Sequence, residues 1–222
     1  LYLCPIFDAP SLHKYDARDH RHIDPTLAPT SSEPCPPSDQ SSNPAAPAAW
    51  TWTPADHYFL NQFLPAIHDR SLRIILDGVW NHVGREHWAF RDVLARGRAS
   101  PFASWFRLTF QSDATDSPIA SHGAWADLVE PVKAHIFDIT RRWMTPAPDN
   151  PLRGIDGWRL DVAPEIGLAF WRDWNALVKQ INPDAITIAE VWHAAPDFTA
   201  PSPTRAFDAQ MNYPFARAVV AW

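Results

Sequence analysis

The chain has 222 residues, 46% apolar and 20% charged, enough to bury a sizeable core as one domain. A formal net charge of -6 offers no basic patch for nucleic acid, and no apolar run approaches the roughly 20 residues that span a bilayer. Cys4 and Cys35 have no metal or redox spacing, and the apolar run around Cys4 reads as burying a free thiol.

Residues 1–7 read as a strand, followed by a His-, Asp- and Tyr-rich loop to Pro25. Residues 27–52 are a low-complexity Pro/Ser/Ala insertion, too poor in apolar surface to offset its ordering entropy. Thr53-Pro54-Ala55-Asp56 marks a helix start whose stripe is Phe59, Leu60, Phe63, Leu64 and Ile67, with Pro65 expected to kink or shorten it. A strand over 72–76 leads into Asp77-Gly78-Val79-Trp80-Asn81-His82, and residues 83–128 read as an irregular, aromatic-rich excursion. A helix over 131–144 carries Ile136, Phe137, Ile139 and Trp143 inward. The strand 155–160, a helix with Phe170, Trp171, Trp174, Leu177, Val178 and Ile181 on one face, and the strand 185–189 complete about four β/α units. The chain opens directly in strand-like sequence and stops inside the apolar segment 215–222, as a piece of a longer protein would.

Alternating strands and helices predict a parallel sheet, either a (β/α)8 barrel or an open doubly wound sheet. Glycine is scarce, at seven residues, and no Gly-rich phosphate loop follows a strand, which favours the barrel. Asp77, Asp161 and Glu190 each follow a buried apolar run, where a carboxylate is costly to keep without a purpose. Carboxylates on one rim of a sheet suit glycoside hydrolysis. Arg159, two residues before Asp161, shares its strand face and is expected to depress the Asp161 pKa, whereas Glu190, flanked by Val191 and Trp192, is expected to be raised. Trp80 and Trp192, beside the acidic strand ends, are candidates for a cleft, and Trp158 and Trp171 for packing. His20 and His22 have ligand-like spacing, but a solvated loop is their expected setting.

Five blocks carry a resemblance: Tyr2 to Phe7, His13-Lys14-Tyr15-Asp16, Asp77 to His82, Gly157 to Asp161, and Ala189 to Trp192, supported by Phe207-Asp208 and Met211 to Phe215. In this order the chain resembles the α-amylase superfamily (glycoside hydrolase family 13), in particular its cyclomaltodextrinase, neopullulanase and maltogenic amylase branch. The resemblance implies an α/β fold, a partial (β/α)8 TIM barrel of about strands 2 to 5, with residues 83–128 as a short domain B. It implies a retaining α-glucan hydrolase in which Asp161 is the nucleophile and Glu190 the general acid/base. Tyr15, Asp77, His82, Arg159 and Trp192 would bind substrate, Tyr15 as a platform under the sugar. No cofactor is implied. Calcium occurs in parts of the superfamily and Asn81 lies in the relevant block, but no full oxygen-ligand set is legible, so no metal is assigned. The resemblance allows a homodimer in the full-length protein and points to bacterial cytoplasm or periplasm without fixing either. Departures are Pro164 where the branch usually has Asn, and Ser71 and Ala189 where it has Gly. The family's third catalytic carboxylate, an Asp after His, has no counterpart before Trp222. The competing reading is a truncated or non-catalytic relative that binds glucan or a partner protein.

Overall fold

The computed structural model describes residues 1–29, 45–110, 123–125, 129–147, 154–201 and 205–221. Most of the low-complexity insertion, residues 30–44, lies outside the described residues, as do residues 111–122 and 126–128 of the excursion and Cys35.

The expected first strand is two, β1 (Tyr2–Leu3) and β2 (Phe7–Asp8), separated by Cys4-Pro5-Ile6. Pro5 has no N–H for a ladder, and Cys4 is exposed rather than buried. The segment expected to be a loop contains β3 (Asp19–Ile23), antiparallel to β2 and buried at every residue. Its polar side chains are internally matched: Arg21 clamps Asp19 at 2.6–3.0 Å, and His22 Nδ1 lies 2.7 Å from Asp56 Oδ2. The solvated setting expected for His20 and His22 is therefore incorrect.

Helix α1 (Pro54–Tyr58) starts as its sequence predicts, in a capping box between Thr53 and Asp56. Such a cap contributes about 1 kcal/mol. Pro65 does not end the helix. A π-helical turn over Phe59–Phe63 widens the spiral ahead of α2 (Leu64–His68), where the ring would otherwise strike the preceding turn. Ser71 then takes φ 56, a left-handed conformation that glycine adopts without strain, which explains why glycine suits this position.

Strand β4 (Ile75–Gly78) follows, then β5 (His82–Val83), α3 (Trp88–Arg96) and β6 (Gly123–Ala124), which pairs antiparallel with β5. Helix α3 was not expected in the irregular excursion; its buried Ala89, Phe90 and Val93 form one narrow stripe. Next come α4 (Glu130–Met144), β7 (Gly157–Leu160), α5 (Leu168–Ile181), β8 (Ile186–Ala189), α6 (Pro196–Thr199), β9 (Ala209–Gln210) and α7 (Tyr213–Ala221).

β1, β4, β7, β8 and β9 form one sheet in that order, every pairing parallel. The fifth strand, β9, extends the four units read from sequence. Register sets Asp77 beside Arg159 and Gly78 beside Leu160, so the chain leaves β4, β7 and β8 at one edge. Gly157 permits this packing: a Cβ there would lie 2.2 Å from the Ile186 carbonyl oxygen. Behind the sheet, Trp158 meets Trp80 at 5.4 Å and Trp174 at 6.5 Å between ring centroids. Trp171 and Trp174 are fully buried and donate to the Ala163 carbonyl and Thr140 Oγ1. The packing role expected for Trp158 and Trp171 is observed. Trp80 is also core, 1% exposed, and so does not face a cleft.

Three histidines from different elements meet in the core: His20 on β3, His87 just before α3, and His135 on α4. The His20 and His87 centroids are 6.3 Å apart, and Trp88 lies 5.1 Å from His87 and 5.5 Å from His135. Burial holds all three neutral, with His20 down to about 3, His135 to about 4, and His87 well below its ordinary value. Asp19, the anion acting on them, is already clamped by Arg21. Because these folded-state values lie below the unfolded value near 6.5, their contribution is complete above about pH 6.5 and lost as pH falls toward 4. Each ring then costs about 1.4 kcal/mol per pH unit. Thermal melts of the full-length protein between pH 7 and 4 should show this loss, and His135→Gln should flatten the slope by about one proton; an unchanged slope would remove His135 from the account.

Candidate active site

Three strands converge their ends on one guanidinium. Arg159, near the end of β7, places Nη1 3.0 and 2.9 Å from the two Asp77 oxygens of β4 and 2.9 Å from Asp161 Oδ1. Its Nη2 lies 2.7 Å from Glu190 Oε1, just past β8. All four side chains are nearly excluded from solvent. The ladder supports them: Asp161 N donates to Gly78 O at 3.0 Å and Glu190 N to Leu160 O at 2.9 Å. Tyr15 donates to Asp77 Oδ2 at 3.2 Å, as does Tyr2 at 2.5 Å. Trp192, 54% exposed, donates Nε1–H to Glu190 Oε1 at 3.3 Å. Tyr213 donates to the same oxygen at 3.1 Å.

The structure thus brings together Asp161, Glu190, Asp77, Arg159, Tyr15 and Trp192 from the predicted set. His82 is half-buried at the start of β5, its Nδ1 3.5 Å from Asn81 Nδ2, and no described hydrogen bond ties it to the carboxylates. Sequence reasoning missed Tyr2, Tyr213, Met211 and the Val162 amide. Met211 Sδ accepts from Arg159 Nε at 3.5 Å. Tyr2 and Tyr213 both fell inside blocks that carried the resemblance, but a tyrosine beside a strand reads equally well as packing. Among the described residues, no group of three or more His, Cys, Asp or Glu is arranged to hold a metal, and no helix is long and apolar enough to cross a membrane.

The expected charge split is reversed. Burial, reinforced by Asp77 and Glu190, pushes Asp161 up to about 7 against the pull of Arg159. Burial also opposes ionisation of Glu190, yet the Val162 N–H, Arg159, Trp192 and a hydrogen bond from Asp161 together hold it below its ordinary value. Beyond burial, one cation is divided among three carboxylates. Asp161 receives one Arg159 hydrogen bond, whereas Glu190 receives Nη2, the Val162 amide, Trp192 and Tyr213. Asp77 is raised by burial, and burial plus the Asp77 charge pushes Tyr15 up to about 12.

A parallel sheet with a carboxylate at the end of each of three neighbouring strands fits part of a (β/α)8 barrel, with those carboxylates on one rim. Residues 125–222 match the family described as "Alpha amylase, catalytic domain". The chain is 35% identical over 231 residues to neopullulanase 2 of Thermoactinomyces vulgaris, covering 99% of this chain and 33% of that protein. It is 33% identical over 224 residues to a cyclomaltodextrinase of a Bacillus species, covering 99% of this chain and 35% of the relative. Among solved structures, the cyclic alpha-maltosyl-(1→6)-maltose hydrolase of Arthrobacter globiformis in complex with maltose superimposes with a TM-score of 0.76 at 28% identity, over 100% of this chain and 44% of that one. Over nearly its whole length the chain is similar to members of the α-amylase family, and it spans about a third of the length of the curated relatives it matches.

Proposed function

We propose that the full-length protein hydrolyses α-1,4-glucosidic bonds of cyclodextrins, maltooligosaccharides or pullulan with retention of configuration. The observation that carries this reading is the gathering of Asp161 and Glu190, from adjacent strand ends, onto the single cation of Arg159. Burial and the neighbouring acids favour the protonated form of Asp161, whereas the donors around Glu190 favour its ionised form. Productive chemistry needs the reverse, and one proton passed from Asp161 to Glu190 makes both groups competent at once. Glu190 then gives its proton to the glycosidic oxygen as the C1–O bond breaks, and an Asp161 oxygen bonds to C1. Water, deprotonated by Glu190, next attacks C1 and releases Asp161, so two inversions give net retention. Asp77 holds Arg159, and Tyr15, hydrogen-bonded to Asp77, supplies an aromatic face against the sugar. Trp192, exposed beside Glu190, suits the leaving-group side.

Proton NMR of maltotetraose cleavage by the full-length protein tests this reading. The first-formed reducing end should be the α-anomer, with β appearing only as mutarotation proceeds. Initial release of the β-anomer would exclude a covalent intermediate on Asp161, and absence of turnover on γ-cyclodextrin, maltotetraose and pullulan would favour the non-catalytic reading.

A further inference from the structure

Immediately after Asp161 the chain enters a conformation that few side chains accept. Val162 has φ 46 and ψ 44, the left-handed region, which is rare for a β-branched residue. Glycine would adopt it without strain, and the other left-handed non-glycine residues described are the unbranched Lys14 and Ser71. The turn has a specific product. Instead of continuing the ladder, the Val162 N–H points at Glu190 and donates to Oε2 at 3.0 Å. The chain beyond is pinned, since Val162 O accepts from Glu165 N at 3.1 Å and buried Ala163 O accepts from Trp171 Nε1 at 2.9 Å. The strained residue therefore sits between the two carboxylates in sequence and bonds one of them in space.

We propose that Val162 is a positioning residue: its strained backbone aims a rigid amide at Glu190 and strengthens Glu190 as the acid that protonates the departing sugar. The inference deepens the retaining reading above and rests on it for the catalytic consequence. Proton donation leaves negative charge on Glu190, and a preoriented N–H stabilises that charge as it forms. A branched side chain restricts the backbone, whereas glycine would let the amide wander. Other groups act on the same carboxyl. Arg159 Nη2 of β7 at 2.7 Å, Trp192 Nε1 at 3.3 Å and Tyr213 OH of α7 at 3.1 Å all favour the ionised form, while Asp77 and Asp161 are the other carboxyl groups on Arg159. Oε1 takes those three contacts, whereas the Val162 amide bonds the other oxygen, Oε2.

Two variants of the full-length protein test the assignment. Replacing the 161–162 peptide bond by an ester, with the α-hydroxy analogue of valine at 162, removes the N–H and keeps the side chain. Val162→Gly keeps the N–H and releases the strain. The carboxyl carbon-13 resonance of Glu190, assigned by its loss in Glu190→Gln, reports ionisation without turnover. The ester should raise the Glu190 pKa, lower kcat about tenfold and leave KM within about twofold, consistent with one hydrogen bond to a charged group. Val162→Gly should raise the melting temperature and still lower kcat. An unmoved Glu190 titration in the ester variant, or wild-type kcat in Val162→Gly, would overturn the positioning role. A raised Glu190 pKa in a protein that cleaves no glucan would keep the amide's role and sink the hydrolase reading instead.

Discussion

Asp161→Asn in the full-length protein should lower turnover of γ-cyclodextrin by about 10^4-fold or more, because the proposed covalent step needs the Asp161 carboxylate as its nucleophile. Its folding should be nearly untouched. The amide is isosteric, and it removes one of three carboxylates that compete for Arg159. Burial and the neighbouring acids already push Asp161 up to about 7, so its charge is not what stabilises the fold. A melting temperature within a few degrees of wild type, together with lost turnover, separates chemistry from structure. Glu190→Gln should lose about 10^2- to 10^4-fold by the same assay, the range of general acid–base catalysis. Near-normal rates in either variant would sink the assignment of roles.

Arg159→Leu should be the most destabilising single change in the site, by about 3–5 kcal/mol. The guanidinium is nearly buried, and the Asp77 charge and hydrogen bonds raise its pKa despite burial, so it stays charged throughout the accessible range. Removing it leaves Asp77, Asp161 and Glu190 facing one another without a cation. Their folded pKa values would then lie above the unfolded ones. Such groups bind protons more tightly in the folded state, so their penalty is largest at neutral pH and shrinks on acidification. The gap in melting temperature between wild type and Arg159→Leu should therefore narrow from pH 8 to pH 5. Adding Asp161→Asn should recover part of the loss, a coupling that a double-mutant cycle measures. A gap independent of pH would assign the loss to packing of the Arg159 stem.

The strand ends were legible because β4, β7 and β8 are apolar runs terminated by an acid, and that contrast survives without neighbours. Helices α4 and α5 were legible for the same reason, through a 3.6-residue stripe of large side chains. Strand β3 was not. Asp19-His20-Arg21-His22 reads as solvated until Asp56, thirty-four residues beyond His22, arrives to accept from it. Strand β9 has two residues, too few for any period to register. The exposed Cys4 and buried Trp80 show the same limit, since a short apolar run does not say which of its members face inward.

By itself the sequence determined the parallel β/α order, the α-amylase resemblance and which carboxylates, with Arg159, stand at the rim. The strand and helix order follows from local patterning, and the resemblance from short motif blocks, neither of which needs knowledge of distant neighbours. Only the tertiary structure decided which of these carboxyl groups its surroundings favour in the ionised form. Arg159 lies two residues from Asp161 and thirty-one from Glu190, yet it reaches both, and Asp77 besides. Three further donors converge on Glu190, from Val162, Trp192 and Tyr213. Ionisation depends on distances and burial summed over all neighbours, and proximity along the chain measures neither.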